Sequence, residues 1–174
     1  SFNYRPHWGF TGGSTKGQLG GFKQSSLIEN GGNSYKVESF GGFANGGNSV
    51  PFNELELYLM GFIPSSSVSE FDVFSDITSF SSSGSEFNFS ANSRITHDGK
   101  SIENLLGKRI PNSNNSQKNF KLLIVVLTNK TLTDEQWDKV DATAEWFSKK
   151  EDDGTHLYNF WEATNGIGSI TIEN

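Results

Sequence analysis

The sequence predicts an α+β domain: a loop-rich N-terminal part, then short helices packed on a small sheet with one central buried strand and a capped C-terminal helix. Three observations carry this. Residues 120–127 (FKLLIVVL) form a near-continuous apolar run, the pattern of a strand buried on both faces. Shortly after it, Thr133 and Gln136 stand at capping-box spacing before an amphipathic stretch. Gly, Ser and Asn make up 60 of the 174 residues, a loop composition, yet 15 Phe, 4 Trp and 4 Tyr accompany them. Aromatic rings bury large areas each, so a few of them staple a loop-rich chain into a fold.

The length suits a single domain or subdomain over 1–174, with a Gly-rich irregular segment at 1–50 and a helix/strand core at 51–174. The first segment holds 12 of the 19 glycines, and Tyr35 to Phe40 is its clearest strand candidate. Pro51 to Met60 reads as a helix: Asn53 caps it, Leu55, Leu59 and Phe62 share a face, and Gly61 stops it. Phe71–Phe74 and Glu86–Phe89 read as the strands of a hairpin, separated by the polar run Ser81–Ser85. After the 120–127 strand, Trp137, Val140, Ala144 and Phe147 fall on one helical face, which is expected to be the centre of the core. A short helix around Tyr158–Trp161 and a strand near Ile170–Ile172 close the chain.

Composition also excludes. With no cysteine there are no disulfides, thiolate metal sites or cysteine nucleophiles. No apolar run reaches the roughly 20 residues of a membrane helix, so no membrane span is expected. A net charge of −6 offers no general cationic field to phosphates, which argues against nucleic acid as a partner. The chain opens at Ser1 without a methionine or signal-like segment and is expected to be a trimmed piece of something longer.

The chemistry-bearing residues are sparse. His7, His97 and His156 lie far apart, and none pairs with another at helical spacing, so a zinc site made by this chain alone would gather three distant segments. His97-Asp98-Gly99 reads as a turn. The acidic turn Glu151-Asp152-Asp153-Gly154 is a calcium candidate that lacks the alternating oxygen ligands of an EF-hand. There is no nucleophile elbow and no phosphate-binding glycine motif. Glu54 and Glu56, two apart on a helix, point to different faces and do not form an acid/base pair.

Three segments carry a resemblance. They are Arg5-Pro6-His7-Trp8-Gly9-Phe10 with Gly17-Gln18-Leu19-Gly20-Gly21, then 45–64 (NGGNSVPFNELELYLMGFIP), then 95–111 (ITHDGKSIENLLGKRIP) running into FKLLIVVL. In this order they resemble the downstream portion of secreted bacterial zincin-like metallopeptidases. The family's catalytic HExxH helix precedes such a His-Trp block, and this chain does not contain it. The resemblance therefore implies the C-terminal subdomain of a zinc-dependent hydrolase, part of an active-site cleft and not catalytic alone. Zinc is the implied cofactor only when upstream ligands complete the site. The implied partner is a peptide or protein substrate of the full-length protein, and the implied location is extracellular or periplasmic. By the same resemblance His7 is the candidate third zinc ligand, and Met60 a floor beneath the metal like a Met-turn. Tyr58 is the implied hydrogen-bond donor to a developing oxyanion and Glu56 a support for a ligand. The alternative is a non-enzymatic extracellular binding module for a glycan or protein, which would display Tyr4, Trp8, Tyr35 and Trp161 on one face.

Overall fold

The computed structural model describes residues 9–13, 20–38, 40–41, 51–84, 86–152, 154 and 158–172. In chain order the elements are β1 (Gly12–Gly13), β2 (Gly21–Lys23), β3 (Ile28–Gly31), β4 (Ser34–Val37), β5 (Phe40–Gly41), α1 (Glu54–Met60), β6 (Phe71–Ser83), β7 (Glu86–His97), α2 (Gly99–Leu106), β8 (Asn119–Leu122), α3 (Asp134–Ser148), α4 (Phe160–Ala163) and β9 (Ser169–Ile172). Helices and separate small sheets make this the α+β class that the sequence predicts.

The largest sheet is antiparallel, in the order β3-β4-β7-β6, and its spine is the hairpin β6–β7. Both hairpin strands run well past the apolar residues that mark them. The serines at 81–83, expected as a loop, are the last rungs of β6, pairing with Asn88, Phe87 and Glu86. Backbone pairing continues there whatever the side chains prefer, because the partner strand is already aligned. A second sheet, β1-β2-β5, is joined to the first by the Thr11–Val73 bridge and by Phe74 N–H donating to Phe10 O at 2.9 Å. Within the second sheet Gly21 lets β2 close on Thr11: with φ at +96°, an added Cβ would stand 2.2 Å from Thr11 O.

The core sits between these sheets. Phe10, Phe22, Tyr35, Val37, Phe74, Phe89 and Ala91 are buried together, with Phe89 at the centre. Its ring lies 5.0 Å from those of Phe10 and Phe74 and 5.4 Å from Tyr35. The Gly-rich N-terminal segment thus supplies four of the seven core side chains. A neighbouring cluster of Leu55, Tyr58, Val68 and Phe71 seats α1 on the end of the hairpin.

Two expectations fail in the last third. Residues 120–127 do not form a central buried strand: β8 ends at Leu122 and pairs only with β9, in parallel, while Leu123, Val125 and Leu127 are 81%, 68% and 91% exposed. A strand is held by the hydrogen bonds of its neighbours, and among the described residues β8 has one neighbour and 123–127 have none. Nor is α3 the centre of the core, since none of its residues is buried and Trp137 is 45% exposed. Its cap is as expected, with Thr133 and Gln136 each bonding the other's backbone N–H. The C-terminal unit is instead anchored by Phe62, Phe120 and Phe160, whose ring centroids lie 5.7–6.4 Å apart.

Candidate functional site

The 51–64 segment becomes a short helix with both ends closed. Asn53 Oδ1 accepts from Glu56 N–H at 3.0 Å, and Glu56 Oε2 accepts from Asn53 N–H at 2.9 Å, a complete capping box. At the other end Gly61 turns left-handed (φ +79°), with Gly61 N–H donating to Tyr58 O and Phe62 N–H to Leu57 O, a Schellman ending. The candidate residues on this helix do not converge. At about 100° per residue, Glu56 and Met60 share one side, and Tyr58 lies about 200° from each. Glu56 is buried and its carboxylate closes the cap.

Tyr58 is the candidate that borders open space. It is 4% exposed, and it lines a cleft of about 460 Å³ together with Ile63, Glu103, Lys108, Arg109 and Asn112. Among the described residues its hydroxyl makes no hydrogen bond and faces open space, since no buried side-chain polar atom lacks a partner. Burial pushes the phenol above its usual range, the Glu103 charge adds to this, and Arg109 opposes it. The hydroxyl is therefore a proton donor near neutral pH.

Arg109 is a site residue that sequence reasoning missed. Its Nε donates to Leu59 O at 2.8 Å and its Nη1 to Pro111 O, so the guanidinium lies across the carbonyl end of α1, where the helix dipole favours a cation. An added Cβ at Gly61 would sit 2.4 Å from Arg109 Nη1, so this glycine serves both the turn and the close approach. Ser116 Oγ also donates to Gly61 O. No local pattern marks Arg109, because its partners are backbone carbonyls, one of them 50 positions away.

Asp72 centres a second polar cluster absent from the sequence reading. The carboxylate is 1% exposed and accepts from Gln24 Nε2 (2.6 Å), Thr96 Oγ1 (2.7 Å), and Arg94 Nε and Nη2 (3.0 Å each). Burial alone would raise its pKa; the bonds from Arg94, Thr96 and Gln24 and the Arg94 charge outweigh that and hold it below the usual carboxylate range. Arg94 also reaches Glu29 at 3.0 Å and lies 5.7–5.9 Å from the Phe74 and Tyr35 ring centroids. Each carboxylate oxygen accepts two bonds, so this is a structural clamp across the hairpin.

His7 and His156 lie outside the described residues, as do Tyr4 and Trp8. His97 stands at the end of β7 with its ring 5.9 Å from Phe71, and its Nδ1 is 3.3 Å from Ser101 Oγ. That hydroxyl is committed to capping α2, donating to Asp98 O and accepting from Asp98 N–H, so the contact is not an activated nucleophile. The expected 97–99 turn is thus the start of a helix, capped by Asp98. In the acidic turn, Asp152 Oδ1 accepts from Gly154 N–H at 2.8 Å, while Asp153 is outside the described residues. Among the described residues no three His, Asp or Glu side chains cluster as a metal would require. Tyr35 is buried against Phe89, a core staple and not a display residue. No helix among the described residues is long and apolar enough to cross a membrane. Comparison with protein-family models, with curated proteins and with solved structures finds no match.

Proposed function

We propose that this chain is the downstream subdomain of a secreted, zinc-dependent metallopeptidase-like protein, forming one wall of the substrate cleft without acting alone. The observation that supports this is the packing of two of the resembling segments on each other. Residues 51–64 and 95–111 meet at α1, where Arg109 covers the helix end and Ile102 packs against the cluster of Leu55, Tyr58, Val68 and Phe71. The cleft lies between them, with the Tyr58 phenol on its wall.

The described residues do not by themselves make a metal site. In this reading His7 contributes one ligand and the others come from outside the chain; the zinc, when bound, would polarise a peptide carbonyl and activate water. The contribution of this chain's own residues is positional. Tyr58 offers a protonated hydroxyl at the cleft wall, held by burial, and Glu56 and Met60 lie on the other side of α1. A single metal centre near α1 therefore borders Tyr58 or Met60, not both.

The test is made on the parent protein, including the residues that precede Ser1. Metal analysis is expected to find one zinc per chain, peptide cleavage to require it, and His7→Ala to lower zinc content. A parent protein with neither zinc nor peptidase activity overturns the proposal, and unchanged zinc in His7→Ala removes that ligand.

A further inference from the structure

The cleft beside Tyr58 carries a charge pattern that the metallopeptidase reading does not use. Its volume, about 460 Å³, falls in the range of small-ligand sites. Lys108 and Arg109 both line it, and among the described residues neither has an acidic side chain within ion-pair distance. The contrast with Arg94, which engages both Asp72 and Glu29, is clear. Arg109 is also held in place: Nε and Nη1 donate to the Leu59 and Pro111 carbonyls, and among the described residues Nη2 has no hydrogen-bond partner. A guanidinium fixed by neutral carbonyls keeps its full charge for something else, and little side-chain entropy remains to be lost on binding. The third group is the Tyr58 hydroxyl. The residue is 4% exposed, and among the described residues its hydroxyl makes no hydrogen bond and is the part of the side chain that reaches open space, since no buried side-chain polar atom lacks a partner.

From these three groups we infer that the cleft is a carboxylate-binding site, in which Arg109 Nη2, the Lys108 ammonium and the Tyr58 hydroxyl converge on one anionic group. Carboxylate fits better than phosphate because Glu103 also lines the cleft. That acid repels a dianion more strongly than a monoanion, and an amide N–H behind a carboxylate can donate to Glu103. Asn112, Ser113 and Asn114 complete the lining with amides and a hydroxyl, suited to a peptide backbone. The chemistry is the same for an acidic side chain within a peptide and for a free C-terminal carboxylate.

The site needs no metal and no residue outside this chain, so its test is separate from that of the zinc reading. The 174-residue protein is titrated, with backbone amide NMR as the readout, against three probes at millimolar concentration. N-acetyl-glutamate N-methylamide carries only a side-chain carboxylate, N-acetyl-alanine only a terminal one, and N-acetyl-glutamine N-methylamide none. Shifts at residues 58–65 and 103–114 are expected with at least one carboxylate probe and not with the glutamine probe, and the stronger of the first two identifies the source. Lys108 is exposed, so Lys108→Gln leaves the fold intact and is expected to weaken binding about fivefold at low salt. Tyr58→Phe removes only the hydroxyl and is expected to weaken it further. Equal binding of the glutamine probe, no shifts with any probe, or unchanged affinity in both variants overturns the inference.

Discussion

Substituting Arg94→Met takes both guanidinium hydrogen bonds from Asp72 while keeping an unbranched side chain over Tyr35 and Phe74. Asp72 is 1% exposed, so water does not replace what is lost, and only Thr96 and Gln24 remain as side-chain donors. Removing one partner of a buried ion pair costs about 3–5 kcal/mol. The Arg94 side chain is 35% exposed, so solvent already screens part of the attraction, and the expected loss is at the lower end, about 3 kcal/mol near neutral pH. The pH dependence is the sharper test. In the native protein the Asp72 pKa is depressed, so the stability it contributes is present above its unfolded value, about 3.9, and is lost as pH falls through the lower folded value. In the variant the Arg94 bonds and charge no longer oppose burial, so the folded pKa is higher than in the native protein. Relative to the native protein the variant then gains stability as pH falls. Urea unfolding followed by tryptophan fluorescence, from about pH 7 down to pH 4, should therefore show the gap between the two proteins narrowing with acid. A gap independent of pH would refute the assignment of Asp72 as a buried charge held by Arg94.

Two further substitutions test the packing. Phe89→Ala empties the centre of the aromatic core and is expected to cost about 3–5 kcal/mol, read as a lower urea midpoint; a loss below 1 kcal/mol would place the core elsewhere. Gly99→Ala puts a methyl 1.9 Å from Ser65 O, a backbone atom that moves only with the neighbouring 3-10 turn. The expected cost is about 1–3 kcal/mol or more, and a thermal midpoint equal to the parent's would show that α2 does not pack there.

What the sequence made legible is what depends on neighbours along the chain. Asn53, Gly61, Thr133 and Gln136 close helix ends within a few residues of themselves, and the structure has them in those roles. The β6–β7 hairpin was visible from its two apolar starts, though not the serine-rich rungs that only a partner strand makes regular. Asp98 and Ser101 also form a cap, but a serine in the place of Glu or Gln made 97–99 look like a plain turn. The long-range features left no trace. Arg109 is fixed by carbonyls and Asp72 by donors from two distant segments, Gln24 and the Arg94 and Thr96 pair on β7, and no spacing rule encodes either. The 120–127 run misled for the same reason: its apolar character states a demand for neighbours on both sides, and the described residues supply one, to β8 alone.

That run also bears on how the molecules behave at high concentration. Leu123 to Leu127 has the β-propensity, the lack of charge and the absence of proline that favour stacking of identical segments into fibrils. Lys118 and Lys121 precede it and Lys130 follows. In an in-register stack each of these would face its own copy about 4.8 Å away, a like-charge repulsion repeated in every layer. The three lysines thus oppose such stacking, and this opposition is expected to weaken as salt rises.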